Sequence, residues 1–370
     1  MNSVLIIDKP AGLTSHDVVN RARRILRERS IGHLGTLDPM ATGVLPLVTG
    51  NLTRLAQFYT ASEKTYEGTI RFGFATDTYD AEGDATTEPK QVTLRPEEIE
   101  SLAARFRGVI QQTPPPFSAK KIKGVPAYKL ARQHKEVVLQ PVQVEIKKFE
   151  ILAIENDRVR FRAHVTSGTY MRSVAHDMGR ELACGAHLES LRRTAVAEFT
   201  LEDAHTLEQL AEAAGGISPK VADRNGTRTG DNGTIVEANA ATPEARAPAD
   251  DAVSPEGDSV THTPMSPGGT PENSPPVLLA GNPESEESRP GGTPELLEAF
   301  LVHPRKLLPQ FPSVTADEST VARIRSGRTV NLPDLSRARQ IKVFSGQRDL
   351  IAIATRIAGT LFHPKLVLCS

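Results

Sequence analysis

From about residue 218 to residue 292 the chain consists largely of Pro, Gly, Ser, Thr, Asn, Glu and Asp, with no Phe, Tyr or Trp and few long aliphatic side chains. A stretch of this composition cannot bury enough apolar surface to offset the entropy of ordering it, and is expected to be a disordered linker. Its repeated SPG, GGTPE and TPE fragments read as low-complexity sequence, not as a structural repeat. The 370 residues therefore have to fold as one body before the tract, expected at 1–215, and a smaller one after it, at 294–370, with the acidic linker at 216–293. That division agrees with the usual roughly 100–200 residues per domain.

Charge follows the same division. The net charge is only -1, yet residues 1–200 hold 28 basic and 23 acidic side chains, residues 201–300 hold 5 and 18, and residues 301–370 hold 11 and 4. Two basic bodies flank an acidic middle. Within the first, the span from Arg105 to Lys135 carries Arg105, Arg107, Lys120, Lys121, Lys123, Lys129, Arg132 and Lys135 and no acidic residue. Such a run suits a phosphate backbone, because each neutralised phosphate releases counterions; it also describes a solvated surface loop.

Several classes are excluded on composition. Cys184 and Cys369 belong to no CxxC or Cys/His cluster, which removes a disulfide framework or zinc motif and fits a reducing cytoplasm. No window approaches the roughly 20 apolar residues of a membrane span, and Met1 to Lys9 lacks the leader pattern of a signal peptide, so a soluble, cytoplasmic protein is expected. There is no metal cluster, Walker loop or dinucleotide fingerprint, so neither metal nor cofactor is expected. Without coiled-coil heptads, a monomer is the expectation.

Periodicity places the elements. Val4 to Ile7 reads as a buried strand, and Ser15 to Arg29, capped by Thr14 or Ser15, as an amphipathic helix. A Gly, Thr and Pro loop is expected from Ile31 to Gly43, a strand from Val44 to Val48, a helix from Thr53 to Tyr59 and an alternating strand from Thr65 to Phe74. Pro96 to Phe106 reads as a helix with Pro at its start and glutamates in its first turn. Pro114, Pro115, Pro116 and Gly124 predict an exposed loop from Thr113 to Pro126. Val142 to Ala153 and Val159 to Thr166 read as a hairpin turning at Asn156 and Asp157, followed by a helix from Tyr170 to Ala183. Past the tract, Leu296 to Pro309 is expected to dock as a helix or extended segment. Val330, Ile341 to Phe344, Leu350 to Thr355 and Leu366 to Leu368 predict a small β-barrel. Strands mixed irregularly with helices make the first body α+β.

The run Gly32-His33-Leu34-Gly35-Thr36-Leu37-Asp38-Pro39-Met40-Ala41-Thr42-Gly43 carries the chemistry. Its glycines permit close backbone approach and Pro39 stiffens the turn after Asp38, so that carboxylate is placed. An isolated Asp-Pro step would read as a turn cap.

The surroundings change that reading. GHLGTLDPMATGVLP, preceded by DKPAGLTS from Asp8 to Ser15, resembles the paired signatures of the TruB pseudouridine synthase family. KTYEGTIRFGFATDTYDAEG (Lys64 to Gly83), SGTYMRSVAHDMG (Ser167 to Gly179) and GAHLESLRR (Gly185 to Arg193) are similar to its remaining signatures, in order, over about the first 200 residues. GTLFHPKLVL near the C-terminus resembles a PUA-like RNA-binding domain. The resemblance implies a pseudouridine-synthase fold with a mixed, mainly antiparallel sheet flanked by helices, and a cofactor-free enzyme that isomerises uridine 55 in the T-loop of tRNA. Breaking the N1–C1′ bond builds positive charge on the sugar, which one carboxylate can stabilise, capture covalently or relieve by taking a neighbouring proton.

The resemblance assigns that carboxylate to Asp38 as nucleophile, with attack at C1′ and removal of the C2′ proton both open. Arg172 is its implied ion-pair partner and Tyr66 the implied active-site tyrosine stacking on the base. His33 matches the histidine that enters the RNA stack when the target base is flipped out. Lys9 and Leu191 match pocket positions, Asp80 a hydrogen-bonding aspartate, and Tyr170 a substrate-side position beside Arg172. Lys120, Lys121, Lys123, Lys129 and Arg132 lie where bacterial members carry a thumb-like insertion, about 113–140, against the tRNA arm. The tract is a departure from that pattern. A protein of another class, an RNA-folding chaperone using the same groove without chemistry, is the alternative; Asp38, Tyr66 and Arg172 stand against a purely degenerate binder.

Overall fold

The computed structural model describes residues 2–118, 120–122, 124–133, 135, 137–215, 294–333 and 338–368. The expected linker at 216–293, Lys123 and Cys369 lie outside the described residues. The elements of the first body begin with β1 (Val4–Lys9), α1 (Ser15–Leu26), β2 (Ile31–His33) and β3 (Thr42–Thr49). A 3-10 turn then leads into α2 (Ala56–Tyr59), β4 (Lys64–Phe72), α3 (Pro96–Arg105) and β5 (Gly108–Gln112). A small ribbon, β6 (Lys121–Ile122) and β7 (Val125–Pro126), and α4 (Ala127–Ala131) precede the hairpin β8 (Val142–Glu155) and β9 (Arg158–Val165). They are followed by α5 (Met171–Glu181), β10 (Ala186–Val196), β11 (Phe199–Thr200) and α6 (Leu207–Ala213). Beyond the tract come α7 (Pro294–Glu298), β12 (Leu301–Val302), β13 (Ser313–Ala316), α8 (Glu318–Arg325), β14 (Val330–Asn331), β15 (Gln340–Ser345), β16 (Asp349–Ala358) and β17 (Leu361–Val367).

Ten strands form one sheet in the order β12-β1-β3-β10-β4-β9-β8-β5, with β11 on β10 and β2 on β3. Only β10 and β3 run parallel; the other pairs are antiparallel. This is the mixed, mainly antiparallel α+β sheet that the sequence predicts. Its central strand, β10, was not among the expected strands. Register shifts at Leu188/Ser190 and Arg193/Ala195 break its alternation into short pieces, so no clean period of two survives in the sequence.

The unbroken apolar run of β1 has a direct structural cause, burial on both faces. Leu5 and Ile7 enter one core with α1, α5 and the helical side of the sheet, while Val4 and Ile6 enter a second. Successive strand side chains point to opposite faces, and β3 divides in the same way, Leu45 and Leu47 to the first core and Val44 and Val48 to the second. The second core is completed from beyond the tract by Leu307, Leu308, Phe344, Ile353, Leu366 and Leu368. The tail thus closes the first body's sheet: β12 pairs with β1 through Leu301 and Leu5, in the segment expected to dock. The remaining C-terminal strands form a curled five-stranded sheet, β13-β15-β16-β17-β14, a half-barrel compatible with a PUA-like domain.

Local differences from expectation have local reasons. The first helix stops at Leu26, not Arg29, because Arg27 adopts a left-handed conformation (φ 50°) and its N–H bonds back to the Arg23 carbonyl. Its start follows the capping rule: Thr14 accepts from Asp17 N–H while the Asp17 side chain accepts from Thr14 N–H. The expected loop from Ile31 begins instead as β2, whose His33 pairs with Leu47. The loop expected from Thr113 to Pro126 ends instead in the ribbon β6–β7, where Ile122 pairs with Val125 across Gly124, whose positive φ makes the turn.

Candidate active site

Asp38 lies in the loop between β2 and β3, and the backbone on both sides of it is pinned from three elements. Ser15, at the start of α1, accepts from Leu37 N–H at 2.8 Å and donates to the Leu37 carbonyl at 3.1 Å. Lys9, at the end of β1, donates to the carbonyls of Pro10, Pro39 and Ala41 at 2.9, 3.0 and 2.6 Å. Arg193, on β10, donates to the carbonyls of Gly35, Thr36 and Val44 at 3.2, 3.3 and 2.8 Å. Gly43 makes this approach possible: at φ 100° a Cβ there would meet the Arg193 carbonyl oxygen at 2.2 Å.

The carboxylate itself faces α5. Arg172 Nη2 donates to Asp38 Oδ1 at 3.0 Å and its Nε stands 2.9 Å from Oδ2, a two-point pairing that a planar guanidinium can make and an ammonium cannot. The remaining Arg172 donors reach the carbonyls of Thr78 and Phe117, at 3.1 and 3.0 Å, and Asp80 Oδ2 lies 3.4 Å away. Asp80 is in turn held by Thr78 Oγ1 at 2.6 Å and by Glu82 N–H at 3.1 Å. Side-chain exposure is 5% for Arg172 and 35% for Asp38, so the cation is fixed in the protein while the carboxylate keeps an open side.

These surroundings set the protonation states. Burial pushes the Asp38 carboxyl above its ordinary value, Arg172 opposes the shift and Asp80 adds to it. Burial brings the Lys9 ammonium down to about 8, with Asp38 opposing. Tyr66, on β4 opposite Arg193, is pushed up by burial, against the pull of the Arg193 charge. Burial holds the His33 imidazole below its ordinary value, with the Arg193 charge acting the same way.

The structure therefore brings Lys9, Asp38, Tyr66, Asp80 and Arg172 into one cluster. Tyr170 caps α5 two residues before Arg172, where Gln112 clamps both its N–H and its carbonyl, at 2.8 and 3.0 Å. Leu191 lines an adjoining cleft of about 530 Å³ with Gly12, Met40 and Glu82. His33 ends β2 and stays half-buried. Of the basic insertion, Lys120, Lys129 and Arg132 are exposed, and Arg132 lies over the Tyr128 ring; Lys121 sits in β6. The Phe117 carbonyl on Arg172 ties the base of that insertion to the cluster. Among the described residues no group of His, Cys, Asp and Glu is arranged to hold a metal, and no helix is long and apolar enough to cross a membrane.

Sequence reasoning passed over Ser15 and Arg193. The tandem Arg192-Arg193 was a signal for the second, since neighbours on a strand face opposite ways: Arg192 pairs with Asp8 outside, at 2.7 Å, while Arg193 points inward and is fully buried.

Comparison with known proteins follows the same residues. The TruB family pseudouridylate synthase N-terminal domain matches residues 23–171, and the tRNA pseudouridylate synthase B C-terminal domain matches 172–220. The chain is 41% identical over 371 residues to tRNA pseudouridine synthase B of Solibacter usitatus, covering all of both proteins. It is 46% identical over 210 residues to that of Opitutus terrae, covering 57% of this chain and 87% of that one. The Solibacter match runs through the acidic tract, whereas the Opitutus match does not span the whole chain. A chain of the crystallised Cbf5-Nop10-Gar1 complex shares the fold, at TM-score 0.59 and 20% identity, over 99% of this chain and 85% of that one.

Proposed function

The chain belongs to the TruB family of pseudouridylate synthases, and from that premise we propose that it converts uridine 55 in the T-loop of tRNA to pseudouridine. The N1–C1′ bond breaks, the uracil turns, a C1′–C5 bond forms, the C5 hydrogen leaves as a proton and N1 gains one. Nothing is oxidised or reduced, and the reaction calls for no cofactor.

The observation that carries this reading is the Asp38–Arg172 pair. A carboxylate gripped at two points by a buried guanidinium, yet open on one side, can meet positive charge developing at C1′ while staying oriented. Asp38 acts as the nucleophile. Arg172 orients it and Asp80 holds Arg172. Tyr66 stacks on the flipped base, in the pocket that Lys9, Leu191 and Tyr170 border, and His33 fills the stack the base has left; flipping costs a few kcal/mol, drawn from binding. Lys120, Lys121, Lys123, Lys129 and Arg132 contact the backbone of the T-arm. Residues 1–215 carry the chemistry and 294–370 form a PUA-like RNA-binding domain, joined by the 216–293 linker in a monomer.

Tritium release from tRNA transcript labelled at C5 of uridine tests the reading, with Asp38→Asn beside the wild type. Release by the wild type alone, mapped to the T-loop, is the expected result. Tight tRNA binding without release from the wild type would reject it and leave an RNA-folding chaperone.

A further inference from the structure

Arg193 has an environment that packing alone does not explain. It is fully buried, and its hydrogen-bond partners among the described residues are three carbonyls, with no carboxylate. A buried arginine without a counter-charge is an expensive choice, since long cationic side chains ordinarily reach solvent or an acid. Its neighbour Arg192 does so with Asp8.

Arg193 donates to the carbonyls of Gly35 and Thr36, in the loop that presents Asp38, and stands directly across the β4–β10 pair from Tyr66. Tyr66 and Arg193 face each other in register, and the guanidinium charge draws the phenol's pKa down against the effect of burial.

We propose that Arg193 is a positioning residue that couples the Tyr66 phenol, its pair across the β4–β10 strands, to the loop carrying Asp38. One rigid guanidinium spans both, so the two groups keep their spacing when RNA enters the cleft. A lysine would retain the charge but not the fork. This inference rests on the reading of Asp38 and Tyr66 as active-site residues.

The test compares Arg193→Met and Arg193→Lys with the wild-type full chain, in steady-state tritium release and in 19F spectra after 3-fluorotyrosine labelling. Five tyrosines give five signals, and Tyr66→Phe identifies the one that matters. The expected result for Arg193→Met is kcat lower by roughly ten- to a hundredfold with KM within twofold, and Tyr66 ionising at higher pH than in the wild type. Arg193→Lys should recover part of both. If kcat is unchanged, or Met and Lys variants lose the same amount with Tyr66 ionising as in the wild type, Arg193 is a packing residue and the proposal is wrong. Should Arg193→Met fail to fold, the Lys variant decides: a kcat between wild type and one-tenth of it, with Tyr66 shifted upward, supports coupling, and no change in either overturns it. If the wild type releases no tritium, the proposed function fails, while the fluorine titration still reports on the Arg193–Tyr66 link.

Discussion

Among the described residues a tyrosine, a carboxylate and a cation meet both around Asp38 and at the joint to the C-terminal sheet, and the molecule finishes the two differently. One is the cluster around Asp38. The other is the joint between the first body and the C-terminal sheet, where Tyr59 donates to Glu198 at 2.6 Å and Leu308 N–H donates to the same Glu198 oxygen at 2.9 Å. Lys342, also buried there, donates to the carbonyls of Arg305 and Leu307. At the joint polar groups end on protein partners, and the rings of Tyr59 and Phe199, 5.7 Å apart, and of Phe58 and Phe311 seal them. Around Asp38, Arg172 Nε stands 2.9 Å from the carboxylate without making a hydrogen bond, and the carboxylate keeps one side open. Satisfied polar burial holds two bodies in register; unsatisfied polar burial leaves interaction capacity for a substrate.

That contrast can be broken by measurement. Asp38→Asn is expected to lower tritium release by roughly a thousandfold or more, the range for removing a positioned catalytic group, while unfolding free energy should not fall, because a carboxyl held above its ordinary value is less stable ionised in the fold than in water. A large loss of stability would mean that the site is built like the joint. Arg172→Lys keeps the charge and loses the two-point grip, so kcat should fall about ten- to a hundredfold with tRNA affinity preserved; equal losses in kcat and affinity would assign Arg172 to binding.

The joint should behave in the opposite sense. Glu198→Ala strands the Tyr59 hydroxyl proton and leaves the Leu308 N–H only its longer bond to the Tyr59 oxygen, at 3.2 Å, costing about 1–3 kcal/mol in denaturant melts, with kcat at 25 °C unchanged for the folded fraction. A fall in kcat would show that the joint communicates with the site.

The smallest effect is in pH. Because burial raises the Asp38 carboxyl above 3.8 and the ionised form is the active one, kcat/KM should drop as pH falls through that raised value. Asp80 contributes to the raise through like-charge repulsion, so Asp80→Asn should move the acid limb to lower pH. A limb that stays in place would remove Asp80 from the electrostatics of Asp38.

Legibility followed the range of the interactions. Helix α3, the β8–β9 hairpin and the capped start of α1 were visible because their signals, proline and glutamates at a helix start, an Asn-Asp turn and a Thr-x-x-Asp box, act over a few residues. Asp38, Tyr66 and Arg172 were legible as motif positions, through resemblance. Their meeting was not, since 134 residues separate Asp38 from Arg172. The centre of the sheet was hidden by bulges in β10, and Arg193 by an arginine pair whose two members differ only in the face they occupy.

The sequence by itself determined the apolar runs that must be buried, the starts of α1 and α3 and the run that presents Asp38; these follow from side-chain chemistry acting locally. Only the tertiary structure decided that β12 returns across the tract to β1, that β10 lies between β3 and β4, and which cation holds the Asp38 carboxylate and which holds its loop. The physical reason is that strand pairing and guanidinium forks join groups far apart in the chain, and their energy exists only once burial has brought those groups together and removed the competing water.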